Sequence, residues 1–286
     1  MSAQENTQQG LLILIGGAED KKDEKIVLRK VVEITQPKSI VVIPTASYYT
    51  REVGNSYLDI FHGLGVEDVE VFDIRYEDEA DRDEFHEKLE KANLVYFGGG
   101  DQTKLVKTLI NSRLFQKIKD RFFEGSLHIA GTSAGAAAAS NPTTYDGDYQ
   151  GFSKGTVSST QGLGFIDDVI IDTHFLARER IPRLVQFLIS GEFTKGIGID
   201  EDTAIVVYPD YRFDVIGTGM VTIINTDKIT GSNYQAINEK EIYSVNNIRI
   251  GFLAPGTTFS IKRWSILKTH AEKNIKELFD RVFLNY

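Results

Sequence analysis

The chain has 286 residues and a formal net charge of -9, with 41% apolar and 26% charged residues. This composition is typical of a globular protein with a sizeable core, and the acidic balance argues against general nucleic-acid binding, which requires a basic surface. Cysteine is absent, which excludes disulfides, a thiolate nucleophile and cysteine-ligated zinc. No apolar run approaches the roughly 20 residues of a membrane span, and the polar N-terminus lacks the features of a signal peptide. We therefore expect a cytoplasmic protein that binds neither nucleic acid nor membrane.

Short apolar runs alternate with longer amphipathic stretches along most of the chain. The predicted strands are Leu11–Ile15, Ile40–Ile43, Val69–Phe72, Leu94–Phe97, Leu127–Ala130 and Val169–Asp172, with helices at about 21–35, 52–64, 80–91 and 103–123. Strands spaced by helices predict an α/β fold with a mostly parallel sheet flanked by helices. Shorter runs from Ile197 to Ile224 predict an antiparallel extension of this sheet, and a helix is predicted at about 268–283. We expect residues 1–286 to form a single domain.

The most informative segment is residues 127–140, LHIAGTSAGAAAAS. An apolar run passes through Gly131-Thr132-Ser133-Ala134-Gly135 into an alanine-rich stretch, which predicts a strand, a tight turn and a helix. The two glycines lack the Cβ atoms that would clash in so sharp a bend. The helix N-terminus would direct unpaired N–H groups at an oxyanion. The segment predicts Ser133 as a nucleophile, provided that the chain also supplies a base and an acid.

His174 is the best candidate for the base, because it follows the strand Val169–Asp172 and sites assemble at the carboxyl ends of strands in open parallel sheets. Four histidines lie in less suitable settings: His62, His86, His128 and His270. Within Asp200-Glu201-Asp202 we choose Glu201 as the acid, since a carboxylate at a strand end could orient the imidazole. The resulting order, Ser133, His174, Glu201, differs from the serine, acid, histidine order of ordinary α/β-hydrolases.

Two further segments offer ligand contacts. The strand Leu94–Phe97 runs into Gly98-Gly99-Gly100, where backbone N–H groups could approach a ligand closely and supply a second oxyanion donor. Three arginines follow the candidate base and could bind carboxylates, although a solvated start of a helix is the alternative interpretation. They are Arg178, Arg180 and Arg183.

The sequence offers no cofactor or metal motif. The glycine triplet is not followed by the Lys-Ser/Thr pair of a phosphate-binding loop, and Gly16-Gly17 lacks a complete dinucleotide fingerprint. Neither an H-E-x-x-H motif nor a clustered His/Asp ligand set occurs. We expect an enzyme that uses neither a cofactor nor a metal.

Residues 140–164 do not follow the alternation of strands and helices. They are rich in Gly, Ser, Thr and Tyr, and loops of this length are usually functional or disordered. A wall or lid of the site and a surface excursion with a hairpin at Asp146-Gly147 are both open interpretations.

Together these segments resemble the cyanophycinase branch of the cyanophycinase/peptidase E family of serine peptidases. The resemblance runs through nearly the whole chain. Its blocks are Gly16 to Lys21, Ile43 to Ser47, Gly99 to Gln102, Gly131 to Ala136, IIDTHF-x-x-R-x-R-x-x-R from Ile170, and Gly196 to Ala204. Each block alone is weak, but in this order they are specific.

The resemblance implies a class I glutamine amidotransferase-like (flavodoxin-like) fold and a Ser-His-Glu triad. It implies Ser133 as nucleophile, His174 as base and Glu201 as acid, with oxyanion donors at Ala134 and at Gly99 or Gly100. The residues that it implies in substrate binding are Gln102, Asp172, Thr173, Arg178, Arg180 and Arg183.

The family's substrate is cyanophycin, a poly-aspartate backbone with β-linked arginines, which is degraded from its C-terminus to β-Asp-Arg dipeptides without ATP or metal. A homodimer is also implied. Thr173 departs from the family, which has Gln at this position, and this leaves the exact substrate open. An Asp-directed dipeptidase, another isopeptide hydrolase on the same triad and a catalytically silent binding protein remain alternatives.

Overall fold

A computed structural model of the chain describes residues 9–147, 149–191 and 193–269. The helices are α1 (Ile26–Thr35), α2 (Thr50–Gly63), α3 (Asp83–Lys91), α4 (Gln102–Leu109), α5 (Arg113–Phe123), α6 (Ala134–Ala137) and α7 (Ile181–Ser190), with 3₁₀ turns at Glu77–Glu79 and Tyr149–Phe152. The strands are β1 (Leu12–Ile15), β2 (Ser39–Ile43), β3 (Asp68–Val71), β4 (Leu94–Phe97), β5 (His128–Thr132), β6 (Thr143–Thr144), β7 (Ser159–Thr160), β8 (Ile170–Thr173), β9 (Lys195–Ile199), β10 (Thr203–Val207), β11 (Arg212–Gly217), β12 (Val221–Asn225), β13 (Gly231–Ser232), β14 (Val245–Asn246), β15 (Arg249–Leu253), β16 (Thr258–Ser260) and β17 (Ser265–Lys268).

A nine-stranded mixed sheet forms the centre of the fold, in the order β17-β16-β11-β10-β1-β5-β4-β2-β3. The strands β1, β5, β4, β2 and β3 are parallel, whereas β10, β11, β16 and β17 add antiparallel pairs on one side. This arrangement confirms the predicted α/β class, with a largely parallel core and an antiparallel extension.

A second sheet, in the order β15-β12-β9-β8, corrects two predictions of placement. The strand predicted at Val169–Asp172 is β8, which pairs in parallel with β9 and does not join the central sheet. The runs near Ile197 and Ile224 are β9 and β12, which also belong to the second sheet. An apolar periodicity in the sequence identifies a strand, but it does not identify the neighbouring strand with which that strand forms backbone hydrogen bonds. The end of β8 therefore approaches the end of β5 from a different sheet.

The burial pattern of β1 explains why its sequence is continuously apolar. Leu12 and Leu14 pack into one hydrophobic cluster, while Ile13 and Ile15 pack into another on the opposite face. All four side chains are buried. Because successive side chains of a strand point to opposite faces, a sheet covered on both sides requires apolar residues at every position.

The helix predicted at 103–123 is interrupted, so α4 ends at Leu109 and α5 begins at Arg113. Ser112 explains the break, because its hydroxyl accepts a hydrogen bond from Phe115 N at 3.1 Å and donates one to Leu109 O at 2.7 Å. It is the N-cap of α5, and the hydrogen bond satisfies an otherwise unpaired amide in the first turn.

Two other helix predictions differ from the structure or lie outside it. The first helix begins at Ile26 instead of about 21, because the Asp20 carboxylate accepts hydrogen bonds from the amides of Lys22, Asp23 and Lys25 and holds them in a turn. The C-terminal helix predicted at about 268–283 lies outside the described residues, apart from its first two positions. None of the helices in the described ranges has the length and apolar character of a membrane span.

The segment 140–164 contains little regular structure. Its strands β6 and β7 pair antiparallel, so the connection between them is longer than the hairpin at Asp146-Gly147 that one of the two open interpretations included. The segment is therefore a surface excursion along its path, and its residues Tyr145 and Asp146 also line a cavity.

We expect Ser112→Ala to lower the free energy of unfolding by about 1 kcal/mol, because it removes the N-cap hydrogen bond of α5. Denaturant unfolding would measure the change. Ser56→Ala, at an exposed position within α2, is the matched control and should be neutral, since alanine is favoured inside helices. Equal stability of the two variants would contradict the capping role.

Candidate active site

Ser133 lies on a strained turn between β5 and α6, with φ 52° and ψ -114°. Its amide donates to Ile15 O at 3.0 Å, which ties the turn to the end of β1. A Cβ on Gly131 would lie 2.6 Å from the backbone of Gly135, so the two glycines allow the strand and the helix to meet. A non-glycine residue at positive φ persists only where its surroundings enforce it.

The three residues of the predicted triad are brought together. Ser133 Oγ lies 2.8 Å from His174 Nε2, and His174 Nδ1 lies 2.7 Å from Glu201 Oε1. Because a carboxylate only accepts hydrogen bonds, Nδ1 carries the proton and Nε2 is the acceptor for the serine hydroxyl. This tautomer is the one that could remove a proton from Ser133.

The triad spans the junction of the two sheets. Ser133 follows β5 of the central sheet, and His174 follows β8 of the second sheet. Glu201 lies in the turn that joins β9 to β10 and so connects the sheets. Its neighbours serve other loops: Asp200 accepts from Ala177 N, and Asp202 accepts from Asp20 N.

The turn at Gly16-Gly17 supports this arrangement and was not predicted as part of the site. Gly16 O accepts from His174 N at 2.8 Å, and Gly17 O accepts from Asp202 N at 2.9 Å. Gly17 has φ +97°, and a Cβ there would overlap the imidazole at Nε2. Two glycines directly after a strand were the available sequence signal for such a close approach of the backbone.

Burial lowers the pKa of His174 below its usual value, and the nearby cations Arg178 and Arg180 lower it further. The hydrogen bond to Glu201 acts in the opposite direction and favours the protonated ring. The imidazole side chain is only 8% exposed. At neutral pH the net effect favours the uncharged ring, which is the form able to accept a proton.

Unpaired backbone amides lie next to Ser133. A Cβ on Gly99 would be 3.7 Å from Ser133 Oγ, which places this glycine beside the hydroxyl. Within the described chain, the amides of Gly99 and Gly100 donate to no protein atom. Ala134 begins α6, so its amide has no acceptor inside the helix. Unpaired backbone amides beside a nucleophile are the type of donor that stabilises developing negative charge.

A cavity of about 440 Å³ opens in front of Ser133. Four of the predicted substrate-binding residues line it, namely Gln102, Thr173, Arg178 and Arg180. Tyr145 and Asp146 also line it, so part of the segment 140–164 forms a wall, and Gln102 Nε2 donates to Thr144 O at 2.6 Å in that segment. The sequence suggested that the segment 140–164 could form a wall of the site, but no sequence signal singled out Tyr145 or Asp146.

Asp172 and Arg183 do not line the cavity, which corrects the expectation that they contact substrate. Their exposures are 0% and 1%, and Arg183 Nε donates to Asp172 Oδ2 at 2.8 Å, with a second hydrogen bond to Oδ1. Asp172 also accepts from Thr173 N at 2.7 Å and from Arg180 at 3.4 Å. A buried carboxylate requires such partners, so this pair supports the cavity wall from behind.

The described residues contain no group of three or more His, Cys, Asp or Glu side chains placed to hold a metal ion. The polar side chains that line the cavity are the hydroxyls of Ser133, Thr103, Thr173 and Tyr145, the amide of Gln102, the carboxylates of Asp101 and Asp146, and the guanidinium groups of Arg178 and Arg180. A serine hydroxyl paired with an imidazole suits acyl transfer, and the two guanidinium groups can bind a carboxylate.

Comparison with known proteins identifies the family. The family model described as peptidase family S51 matches residues 12–213, which include Ser133, His174 and Glu201. The chain belongs to peptidase family S51. It is accordingly a serine peptidase, and the resemblance inferred from the sequence blocks is confirmed.

Relatives of this S51 peptidase extend over most of the chain. It is 32% identical over 254 residues to the cyanophycinase of Geminocystis herdmanii, covering 88% of this chain and 93% of that protein. It is 34% identical over 259 residues to the cyanophycinase of Trichormus variabilis, covering 90% and 87%. A crystal structure of a peptidase from an acI-B1 actinobacterium has a TM-score of 0.67 and 25% identity, covering 88% of this chain and 97% of that one.

We expect His174 to titrate below the usual imidazole value of about 6.5 in NMR spectra, with its resonance assigned by the His174→Gln variant. Arg178→Ala should raise this pKa, because it removes a positive charge that disfavours the imidazolium ion. Arg178→Lys retains the charge and should leave the pKa nearly unchanged. A lowered or unaltered pKa in Arg178→Ala would contradict the electrostatic account.

We expect Arg183→Met to lower the free energy of unfolding by about 3 kcal/mol, because it leaves the Asp172 carboxylate buried with fewer partners. Arg178→Met, at an exposed position, is the matched control and should change stability little. Thermal or denaturant unfolding would compare them. Wild-type stability in Arg183→Met would show that Asp172 does not depend on this arginine.

Proposed function

We propose that this S51 peptidase is an exopeptidase that hydrolyses cyanophycin to β-Asp-Arg dipeptides through a Ser133–His174–Glu201 triad. The observation that carries the proposal is the series of two hydrogen bonds, 2.8 Å and 2.7 Å long, that links the three side chains. The substrate is inferred from the cyanophycinases to which the chain is 30–34% identical over most of its length.

In the proposed reaction, Ser133 Oγ attacks the carbonyl carbon of an amide bond between backbone aspartates. His174 Nε2 accepts the serine proton and then donates it to the leaving amine. This amine belongs to the C-terminal β-Asp-Arg unit, so the dipeptide departs in this first step and the shortened polymer stays esterified to Ser133. Water, deprotonated by the same imidazole, then attacks the ester carbonyl, His174 returns the proton to Ser133 Oγ, and the shortened polymer is released. Glu201 accepts a hydrogen bond from Nδ1–H throughout, which orients the ring and stabilises its charged form.

Backbone amides serve as the proposed oxyanion hole. The carbonyl oxygen gains negative charge in the tetrahedral intermediate, and the amide of Ala134 together with that of Gly99 or Gly100 would donate to it. Preorganised donors of this kind typically contribute about 10²- to 10³-fold to the rate.

The arginines at the cavity account for recognition of an anionic substrate. Each β-Asp-Arg unit carries an α-carboxylate, and Arg178 and Arg180 present guanidinium groups that can bind it. Gln102 and Thr173 complete the proposed polar contacts. Asp172 and Arg183 act indirectly, because they hold Arg180 and the end of β8 in place.

We extend the proposal to the whole protein from the family resemblance. The protein would be a single peptidase domain with a class I glutamine amidotransferase-like architecture that acts in the cytoplasm as a homodimer. It would need no cofactor or metal, because the triad and the amides supply all the groups that the hydrolysis requires. It would bind neither nucleic acid nor membrane.

We expect Ser133→Ala to reduce hydrolysis of purified cyanophycin by about 10³-fold or more while the protein stays folded. Release of β-Asp-Arg, measured by mass spectrometry, would test the product as well as the triad. Ser47→Ala, which changes a serine outside the triad and the cavity lining, is the control and should retain turnover.

The substrate is tested on the wild-type protein with cyanophycin and free Asp-X dipeptides in parallel. Turnover of only the dipeptides would replace the proposed substrate with that of an Asp-directed dipeptidase. Turnover of neither, or undiminished turnover by Ser133→Ala, would contradict the proposed reaction, and binding without turnover would favour a silent binding protein.

A further inference from the structure

A buried carboxylate that the proposed reaction does not use lies behind the nucleophile. Glu19, in the loop after β1, is only 4% exposed. Its Oε2 accepts a hydrogen bond from Thr132 Oγ1 at 2.6 Å. Its Oε1 accepts a short hydrogen bond from Tyr57 and a longer one, 3.4 Å, from Tyr96. Three hydroxyl groups therefore converge on one carboxylate in the interior.

The surroundings fix the direction of these hydrogen bonds. Burial and the negative charge of Glu19 raise the pKa values of Tyr57 and Tyr96 well above the usual range, so both phenols remain donors. Lys21 supplies a nearby positive charge, with its Nζ 3.5 Å from Glu19 Oε1. A buried carboxylate is tolerated only with such partners, and its acceptors are all engaged here.

The position of Thr132 relates this network to catalysis. It is the last residue of β5 and directly precedes Ser133, whose positive φ must be enforced from outside. The loop that carries Glu19 also accepts backbone hydrogen bonds from His174 at Gly16 O and from Asp202 at Gly17 O. One loop thus contacts the chain segments of all three triad residues.

We propose that Glu19 is a positioning residue that acts through the Thr132 hydroxyl to hold Ser133 in its reactive conformation. The inference rests on the proposed function only in taking Ser133 as the nucleophile. Glu19 does not line the cavity, and its hydrogen bonds go to Thr132, Tyr57 and Tyr96 and not to the imidazole, so its effect should fall on the chemical step and not on substrate affinity.

The test compares Thr132→Val, which removes the hydroxyl at nearly constant volume, with Thr132→Ser, which retains it. We expect Thr132→Val to lower kcat by about 10- to 100-fold, the range expected when a reacting group is misplaced. KM should change little. The rate at which a fluorophosphonate labels Ser133, with loss of fluoride, should fall in parallel, and Thr132→Ser should restore both rates.

Thr258→Val is the matched control, because Thr258 Oγ1 also donates to a carboxylate on a neighbouring strand, Asp214 Oδ1, at the same distance of 2.6 Å. It should retain the wild-type kcat and labelling rate even where it lowers the melting temperature. Glu19→Ala is a second variant, which removes the acceptor of the Thr132 hydroxyl. It should reproduce the kcat defect of Thr132→Val in its folded fraction, determined by calorimetry.

The outcomes separate this inference from the proposed function. Wild-type kcat and labelling in folded Thr132→Val would overturn the positioning role, as would an equal loss in Thr258→Val. Failure of Thr132→Ser to recover either rate would also overturn it. A wild-type protein that is neither labelled at Ser133 nor active on cyanophycin would instead refute the proposed function, on which the inference depends.

Discussion

The close approach of the Gly17 backbone to the imidazole of His174 is the constraint on which the site depends. No side chain fits between them, because a Cβ at Gly17 would lie only 2.3 Å from Nε2. The ring is therefore supported from behind by backbone, while Ser133 and Glu201 hold its two nitrogens. An imidazole fixed on three sides needs little reorganisation when it takes up a proton, which is the physical advantage of a preorganised base.

Two buried ionic clusters support this arrangement, one at the end of β8 and one at the end of β5. Asp172 and Arg183 lie beneath the end of β8 and stabilise the segment that carries His174. Glu19 lies beneath the end of β5 and receives the hydroxyl of Thr132. Burying a charge is costly in free energy, so each cluster is stable only when its partners are correctly placed. Charged groups in the interior thus favour one relative position of the serine and the histidine.

The sequence predicted the parallel core and the convergence of Ser133, His174 and Glu201 more accurately than it predicted sheet membership or buried contacts. Apolar periodicity identifies β8, but it carries no information on whether β8 pairs with β5 or with β9. Similarly, Arg180 and Arg183 share the same local pattern, yet one lines the cavity and the other is buried against Asp172. Ser112 is a typical N-cap residue and was the sequence signal for the break between α4 and α5. The amphipathic pattern across residues 103–123 nevertheless favoured one continuous helix. The roles of these residues in catalysis remain predictions.

The position of the triad at the junction of two sheets has a consequence for how the protein loses activity. Backbone hydrogen bonds within each sheet hold its strands together. The 2.8 Å hydrogen bond between Ser133 and His174, in contrast, forms only when the two sheets have the correct relative position. A slight parting of the sheets leaves every strand intact and still separates nucleophile from base. Mild denaturation should therefore abolish turnover before circular dichroism registers any loss of secondary structure, which makes catalysis the more sensitive reporter of tertiary order.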